Sequence, residues 1–248
     1  MISIRQIEFS YHRLSPVLRE VSCDVAAGDF LALVGPNGSG KSTLLKCINR
    51  ILKIQKGEIM IDGLPSKAYS PVALARKIAY VPQCETRQTS ANVFDTVLIG
   101  RKPYISWKPT ENDLDITAET LKLLSIAHLS MKRTNELSGG QQQTVMIARA
   151  LAQQPKILLL DEPTANLDIK HQLEMVELLK NLSAKGITIV IAIHDLNMAM
   201  RFANNIMMLK EGRVFFYGAK DEITAEIIEN LYEIKVERVF SFQFSVFS

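Results

Sequence analysis

The sequence Gly35-Pro36-Asn37-Gly38-Ser39-Gly40-Lys41-Ser42 decides the fold of this 248-residue chain. It fits the pattern G-x-x-x-x-G-K-[S/T], follows the apolar run 30–34 and precedes apolar residues at helical spacing over 41–52. Glycines let backbone N–H groups curl around a polyphosphate, and the helix N-terminus adds partial positive charge. We therefore predict a strand, a phosphate-binding loop and a helix, with Lys41 on the β- and γ-phosphates and Ser42 on Mg²⁺.

An acidic element of the kind that such a loop needs follows a second apolar strand. The run 157–160 is apolar throughout and ends at Asp161 and Glu162. Acidic residues are rarely buried unless they are paired or liganded, and ligands of parallel sheets bind at the carboxyl ends of strands. We expect Asp161 to hold Mg²⁺ through water, and Glu162 to polarise an attacking water as general base.

Hydrophobic patterns place these motifs in an alternation of strands and helices. Near-continuous apolar strands between helices predict a parallel sheet that is covered on both faces. The predicted strands are 2–9, 21–26, 30–34, 58–61, 157–160 and 187–193, with a hairpin of 206–209 and 214–217. The predicted helices are 41–52, 92–100, 111–125, 139–153, 169–184, 196–203 and a helix near 223–232.

Composition excludes several classes of protein. With 47% hydrophobic and 22% charged residues the chain is neither disordered nor collagen-like, and 29 Lys+Arg against 26 Asp+Glu do not favour a nucleic-acid-coating protein. Cys23, Cys47 and Cys84 have no metal-like spacing and are interpreted as reduced cytosolic thiols. The sequence shows no signal peptide and no apolar stretch of about 20 residues, so we expect any membrane role to come through a partner.

Five further motifs give the chain its resemblance to a family. Leu137-Ser138-Gly139-Gly140-Gln141, between the phosphate loop and Asp161, resembles the signature motif of the ABC (ATP-binding cassette) ATPases. Tyr11 resembles the aromatic A-loop residue, Gln83 in Val81-Pro82-Gln83 the Q-loop, Ala165-Asn166-Leu167-Asp168 the D-loop, and His194 the switch histidine. With the phosphate loop and the acidic pair, seven motifs stand in the family's order along nearly the whole chain.

The resemblance implies a fold and a set of site residues. The fold is α/β: one domain over 1–248, with a P-loop NTPase core at 1–82 and 155–248 that has a mainly parallel sheet, an N-terminal antiparallel β subdomain, and an inserted helical signature subdomain at 83–154. ATP and Mg²⁺ are the implied cofactors. The implied catalytic residues are Lys41, Gln83, Glu162 and His194, and the implied metal-site residues are Ser42, Gln83 and Asp161. The implied nucleotide-binding residues are Tyr11, Gly35, Pro36, Asn37, Gly38, Ser39, Gly40, Lys41, Ser42, Thr43, Ser138, Gly139, Gly140, Gln141 and Asp168.

The resemblance also implies partners for the chain and a branch of the family to which it is most similar. In this family the signature motif caps ATP bound to a second copy, which implies an ATP-sandwich homodimer. The absence of a coiled-coil insertion, a second cassette or a fused membrane segment favours the separate ATPase subunit of an importer, at the cytoplasmic face of the membrane. Residues 97–104 and 167–172 resemble the group that serves iron-siderophore, haem and vitamin B12 uptake. The implied partners are integral membrane permease subunits, received by residues 84–101, and indirectly a solute-binding protein, with no nucleic acid.

Two alternatives stay open, and two segments depart from the family pattern. The chain could power import of another solute, such as molybdate or a different metal complex, or act as a soluble ABC-type ATPase without a membrane partner. Gln142-Gln143-Thr144 stands where the family usually has at least one arginine, so we expect a charge contact there to be missing or replaced. The tail 240–248 alternates apolar and polar residues, as an edge strand or a partner-binding strand would.

Overall fold

The computed structural model describes residues 1–12, 15–83, 90–165 and 167–233. Within these ranges the chain forms ten strands and eight α-helices. The strands are β1 (Ile2–His12), β2 (Ser15–Val25), β3 (Phe30–Val34), β4 (Lys56–Ile61), β5 (Leu64–Pro65), β6 (Ile78–Val81), β7 (Ile157–Asp161), β8 (Thr188–Ala192), β9 (Asn205–Lys210) and β10 (Arg213–Ala219). The helices are α1 (Lys41–Ile48), α2 (Pro71–Ala75), α3 (Val93–Leu98), α4 (Glu111–Leu123), α5 (Gly139–Ala152), α6 (Ile169–Ala184), α7 (Leu196–Phe202) and α8 (Ala225–Tyr232).

A six-stranded sheet carries the motifs. Its order is β10-β9-β3-β8-β7-β6, and every neighbouring pair is parallel except β9 with β10. Every residue of β3, β7 and β8 is buried, as expected for parallel strands covered on both faces. The predicted α/β fold with a mainly parallel sheet is confirmed, and the phosphate loop follows β3 near the middle of this sheet.

Two hydrophobic cores lie on opposite sides of this sheet. Successive side chains of a strand point to opposite faces. Accordingly Phe30, Ala32 and Val34 belong to a cluster with the apolar faces of α5 and α6, whereas Leu31 and Leu33 belong to a second cluster with β1, β2, β4 and α1. The second cluster contains the antiparallel sheet β2-β1-β4-β5, which is the N-terminal β subdomain that the resemblance implied.

Helices α3, α4 and α5 lie in sequence between β6 and β7 and pack on one another. The turn after α3 meets α5 so closely that a Cβ on Gly100 would lie 2.0 Å from Arg149 O. Arg101 and Asp113 form a buried ion pair, Nε to Oδ1 2.9 Å, and Arg101 Nη1 donates to Ala152 O (2.9 Å) at the end of α5. One cation thus joins the start of α4 to the end of α5.

Some local predictions differ from the structure. The helix predicted over 41–52 ends at Ile48, because Arg50 takes a left-handed conformation (φ 58°) and the N–H groups of Ile51 and Leu52 both donate to Lys46 O (2.9 and 3.1 Å). Strands β5 and β6 and helix α2 were not predicted. The tail strand predicted at 240–248 lies outside the described residues. None of the helices within the described ranges has the length and apolar character needed to cross a bilayer.

Candidate active site

The phosphate loop joins β3 to α1, and its shape depends on glycine at two positions. Gly35 has φ 146°, and a Cβ there would lie 2.2 Å from Leu209 O. Gly40, which directly precedes α1, has φ 105°, and its Cβ would lie 2.8 Å from Leu18 Cδ2. Only glycine adopts these angles without strain and fits the space. The loop thereby presents the free backbone N–H groups at the start of α1.

Lys41 is buried against the loop that it follows. Its Nζ donates to Gly35 O (2.8 Å) and Pro36 O (3.0 Å). Burial lowers the pKa of Lys41 below its ordinary value, while the carboxylates of Glu162 and Asp161 act in the opposite direction. Two neutral carbonyls are weaker partners for an ammonium group than an anion is. The arrangement therefore suits a phosphate that replaces these carbonyls.

A polar atom without a partner marks the same loop as an anion site. Ser39 is 3% exposed, and its buried Oγ has no hydrogen-bond partner among the described residues. A buried hydroxyl in this state costs free energy unless a ligand or water completes it. Together with the loop N–H groups and the Lys41 ammonium, this hydroxyl fits a polyphosphate.

Asp161 and Ser42 form the part of the site that suits a divalent cation. Ser42 Oγ donates to Asp161 Oδ1 (2.7 Å), and Tyr80 donates its hydroxyl proton to Asp161 Oδ2 (3.0 Å). Hydroxyl and carboxylate oxygens are the hard donors that Mg²⁺ prefers. Within the described ranges no three His, Cys, Asp or Glu side chains converge on one point. A cation held by Ser42 and Asp161 would leave coordination positions for phosphate and water.

Glu162 lies between nitrogen donors from two other strand ends. His194 Nε2 lies 2.5 Å from Glu162 Oε1, and Gln83 Nε2 donates to Oε2 (2.8 Å). Glu162 has φ 49°, and its N–H donates to Ala192 O (3.0 Å), which fixes the turn after β7. Three of the residues that the resemblance implied as catalytic, Gln83, Glu162 and His194, are thus in contact at the carboxyl edge of the sheet.

Tyr11 lies beside the start of α1. Its hydroxyl is 3.3 Å from Thr43 Oγ1, and its ring meets Phe9 edge-on, with centroids 4.9 Å apart and planes at 90°. The side chain remains 54% exposed. An aromatic ring fixed at one edge and exposed on the remainder suits stacking on a base.

The signature residues and Asp168 stand at the N-termini of two other helices. Ser138 caps α5 through a capping box with Gln141, and Asp168 caps α6 by accepting from His171 N (2.9 Å). That N–H, with the His171 ring, holds the pKa of Asp168 below its ordinary value. A Cβ on Gly140 would lie 3.3 Å from Leu167 Cδ2, so the two turns lie close together. Asn166 of the D-loop lies outside the described residues.

Sequence reasoning missed Tyr80 as a member of the site. Burial and Asp161 raise the pKa of Tyr80, so its hydroxyl keeps its proton and donates it to the carboxylate. The available signal was its place three residues before Gln83. It could be used only with knowledge of β6, whose register sets Tyr80 opposite Leu159 of β7.

Comparison with known proteins gives a consistent result. Residues 18–165, more than half of the chain, match the family model described as ABC transporter. An uncharacterized ABC transporter ATP-binding protein of Methanocaldococcus jannaschii is 43% identical, covering 94% of this chain and 92% of its own. The hemin import ATP-binding protein of Thermobifida fusca is 37% identical (96% and 84% covered), and the ferric enterobactin transport ATP-binding protein of Escherichia coli is 36% identical (93% and 86%).

Solved structures extend the similarity to three dimensions. A structure described as an inward-facing metal-chelate type ABC transporter aligns with TM-score 0.83 at 31% identity, covering 94% of this chain and 89% of its own. A dimeric ATP-binding cassette with bound ADP and Pi aligns with TM-score 0.78 at 31% identity, covering 89% and 99%. Motifs, fold and relatives agree, and the chain belongs to the ABC transporter family as one of its ATP-binding ATPases.

Proposed function

We propose that this chain is the ATP-hydrolysing subunit of an ABC importer, and that the cargo is a metal chelate such as an iron-siderophore, haem or cobalamin. The contact of Gln83, Glu162 and His194 beside the phosphate loop carries the ATPase part of the proposal. The hemin and ferric enterobactin relatives, together with the metal-chelate type transporter structure, support the cargo class.

In the proposed reaction each side chain has a task that its position supports. Lys41 and the loop N–H groups bind the phosphates, and Tyr11 stacks on the adenine. Ser42 and Asp161 would hold Mg²⁺, with Gln83 beside them, and the bound cation would supply positive charge that offsets the charge of the phosphates. Glu162 takes a proton from the attacking water as general base, while His194 orients that carboxylate and approaches the γ-phosphate.

The proposed working unit is a dimer. The hydrogen bonds described for the side chains of Ser138 and Asp168 stay within the first turns of their own helices, and both residues are exposed. We assign these caps, with Gly139, Gly140 and Gln141, to ATP bound by a second copy. The dimeric cassette that holds ADP and Pi supports this assignment.

Permease subunits complete the proposed assembly at the cytoplasmic face of the membrane. We propose that residues 83–154 act as one helical subdomain and that residues 84–101 receive the permease, which in turn meets a solute-binding protein. Residues 84–89 lie outside the described part of the chain. Arg101, at the far end of this segment, is tied into α4 and α5 by its buried ion pair, so a force applied there would reach the signature helix.

A dimerisation experiment tests the ATPase part. Glu162→Gln keeps the shape of the side chain but removes the base, so ATP should accumulate between two copies. Analytical ultracentrifugation should show a monomer without nucleotide and a dimer with ATP and Mg²⁺. The variant Glu162→Gln with Lys41→Ala serves as the control and should remain monomeric. A Glu162→Gln protein that is monomeric at saturating ATP would contradict the composite site.

A purification experiment tests the importer and cargo parts. Affinity capture of the chain from detergent-solubilised cells should recover a polytopic membrane protein, whereas a soluble assembly ATPase would recover none. The solute-binding protein of the same system should then bind haem, a ferric siderophore or cobalamin in a direct titration. Binding of molybdate instead would support the importer proposal but contradict the proposal that the cargo is a metal chelate.

A further inference from the structure

Two turns of the chain share one sequence pattern and one local structure. Thr134, Leu137 and Ser138 precede α5 with the same spacing as Thr164, Leu167 and Asp168 precede α6. In both, the cap residue is followed four positions later by a glutamine: Gln142 in the first turn and Gln172 in the second. The first turn presents the signature residues, and the second presents Asp168.

The hydrogen bonds of the two turns correspond one to one. Gln142 Nε2 donates to Thr134 O (3.1 Å) and Leu137 O (3.1 Å). Gln172 Nε2 donates to Thr164 O (3.2 Å) and Leu167 O (3.0 Å). In each turn the leucine N–H also donates to the threonine carbonyl, at 3.4 Å in the first turn and 3.3 Å in the second.

A primary amide is well suited to this position. Its two N–H groups donate to two carbonyls of the turn, so one side chain bridges the turn from its first residue to the residue before the cap. Gln142 and Gln172 are half-buried, which limits competition from water. Each glutamine therefore fixes the path by which the chain enters its helix, and with it the direction of the cap.

The two bridged turns lie close together. A Cβ on Gly140 would lie 3.3 Å from Leu167 Cδ2, while a Cβ on Gly139 would meet nothing within 4 Å. Ser138 and Asp168 are both exposed. One face of the molecule thus carries two bridged turns side by side, each ending in an exposed polar cap.

We propose that Gln142 and Gln172 are positioning residues, which hold the signature turn and the Asp168 turn in the shape that a second copy of this chain binds. This inference rests on the proposed dimer. Neither glutamine touches the chain's own phosphate loop through its described hydrogen bonds.

The test replaces amides by carboxylates of the same shape. Gln142→Glu and Gln172→Glu cannot donate to the carbonyls and repel them, whereas Gln142→Arg keeps N–H donors. Lys180→Gln, exposed on α6, changes the net charge by the same amount and is the control. In the Glu162→Gln background, each glutamate variant should weaken ATP-dependent dimerisation by about tenfold. The Gln142→Arg and Lys180→Gln variants should dimerise like their parent. Binding of a fluorescent ATP analogue to the monomer should remain unchanged throughout, which also shows that each variant folds.

A second measurement does not depend on dimerisation. Hydrogen–deuterium exchange of the nucleotide-free chain should accelerate at residues 134–142 in Gln142→Glu and at residues 164–172 in Gln172→Glu, each with little change in the other turn. Unchanged exchange in both variants overturns the positioning role even if no variant dimerises. Faster exchange with undiminished dimerisation also overturns it, because the held shape would then be irrelevant to the second copy. Failure of the Glu162→Gln parent to dimerise refutes the proposed function instead.

Discussion

At the scale of single residues, the carboxylates of Asp161 and Glu162 have different surroundings although they are adjacent in sequence. Asp161 is held by two hydroxyl groups, from Ser42 and Tyr80. Glu162 is held by two nitrogen donors, from Gln83 and His194. The hydroxyl groups place Asp161 among oxygen atoms, which suits a cation. The imidazole and the amide orient Glu162, which suits a carboxylate that takes a proton from water. The two neighbours are thereby fitted for different tasks.

We expect Glu162→Gln to abolish turnover rather than binding. Loss of a general base lowers kcat by about 10²- to 10⁴-fold, while the side chain retains its size. Steady-state ATP hydrolysis and equilibrium binding of a fluorescent ATP analogue measure the two properties separately. Glu177→Gln, exposed on α6, is the matched control and should hydrolyse ATP normally. Residual turnover within threefold of the parent would exclude Glu162 as the base.

We expect Tyr80→Phe to change the dependence on metal. Without the hydroxyl, Asp161 Oδ2 loses its donor, and the Mg²⁺ concentration for half-maximal nucleotide binding should rise by about tenfold, as for other outer-shell partners. Tyr69→Phe is the control. The Tyr69 hydroxyl also makes a hydrogen bond of 3.0 Å, but it donates to Ile61 O and not to Asp161. Titration of Mg²⁺ at a fixed nucleotide concentration compares the two variants. An equal change in their Mg²⁺ requirement would contradict the role of Tyr80.

The residues that sequence could identify are those whose chemistry is local. Lys41 and Ser42 lie within one short motif, and Asp161 and Glu162 end one apolar run, so spacing alone located them. Tyr80 acts on a carboxylate 81 positions away. That contact depends on the pairing of two strands, one of which was not predicted, and no local pattern contains it.

At the scale of secondary-structure elements, the helix bounds that could be predicted best are those marked by a capping residue at the start and a glycine after the end. Helix α6 has the predicted bounds 169–184 because Asp168 caps it and Gly186, at φ 95°, follows its end. Helix α2 carries the signals Ser70 and Pro71 at its start. It was missed because its five residues are too few to show a helical period.

We expect the Arg101–Asp113 pair to matter for stability. Arg101→Met leaves a buried carboxylate unpaired and should lower the free energy of unfolding by about 3–5 kcal/mol. Arg5→Met removes an exposed pair with Asp24 and should cost at most about 1 kcal/mol. Urea unfolding at neutral pH measures both, and equal small losses would contradict the importance of the buried pair.

The Asp113 carboxyl also gives stability a defined pH dependence. The N–H of Thr110, helped by the Thr110 hydroxyl and Arg101, holds the pKa of Asp113 below its ordinary value. A depressed folded-state pKa contributes stability above the unfolded pKa of about 3.9, and this contribution is lost as the pH falls through the lower folded value. The difference in unfolding free energy between the parent and Asp113→Asn should therefore shrink when urea unfolding is repeated at falling pH below about 4. A difference that is constant with pH would contradict this assignment.

Contact between α5 and the turn after α3 predicts a steric effect. A Cβ at position 100 would overlap Arg149 O, so Gly100→Ala should force the two elements apart and cost about 1–3 kcal/mol. Gly139→Ala, with nothing within 4 Å of the new atom, should leave the free energy of unfolding within about 1 kcal/mol. Thermal unfolding compares the two variants. A Gly100→Ala protein as stable as its parent would show that α5 can move away from residue 100 without loss of stability.

At the scale of the whole molecule, ligand binding should stabilise the fold through the phosphate loop. The loop joins β3, which belongs to both cores, to α1. A ligand that binds only the folded state stabilises it by about 2.7 kcal/mol at 100 times its dissociation constant. A non-hydrolysable ATP analogue with Mg²⁺ should therefore raise the unfolding temperature of the parent but not of Lys41→Ala. An equal rise in both would place the nucleotide elsewhere.

The two bonds to Glu162 tie one carboxylate to the ends of two other strands. Gln83 and His194 each hold a different oxygen of the Glu162 carboxylate, and because each carboxylate oxygen has two lone pairs, both oxygens can still accept a proton from a water molecule. A shift of the chain after β6 or after β8 would therefore turn this carboxylate without any change in β7 itself.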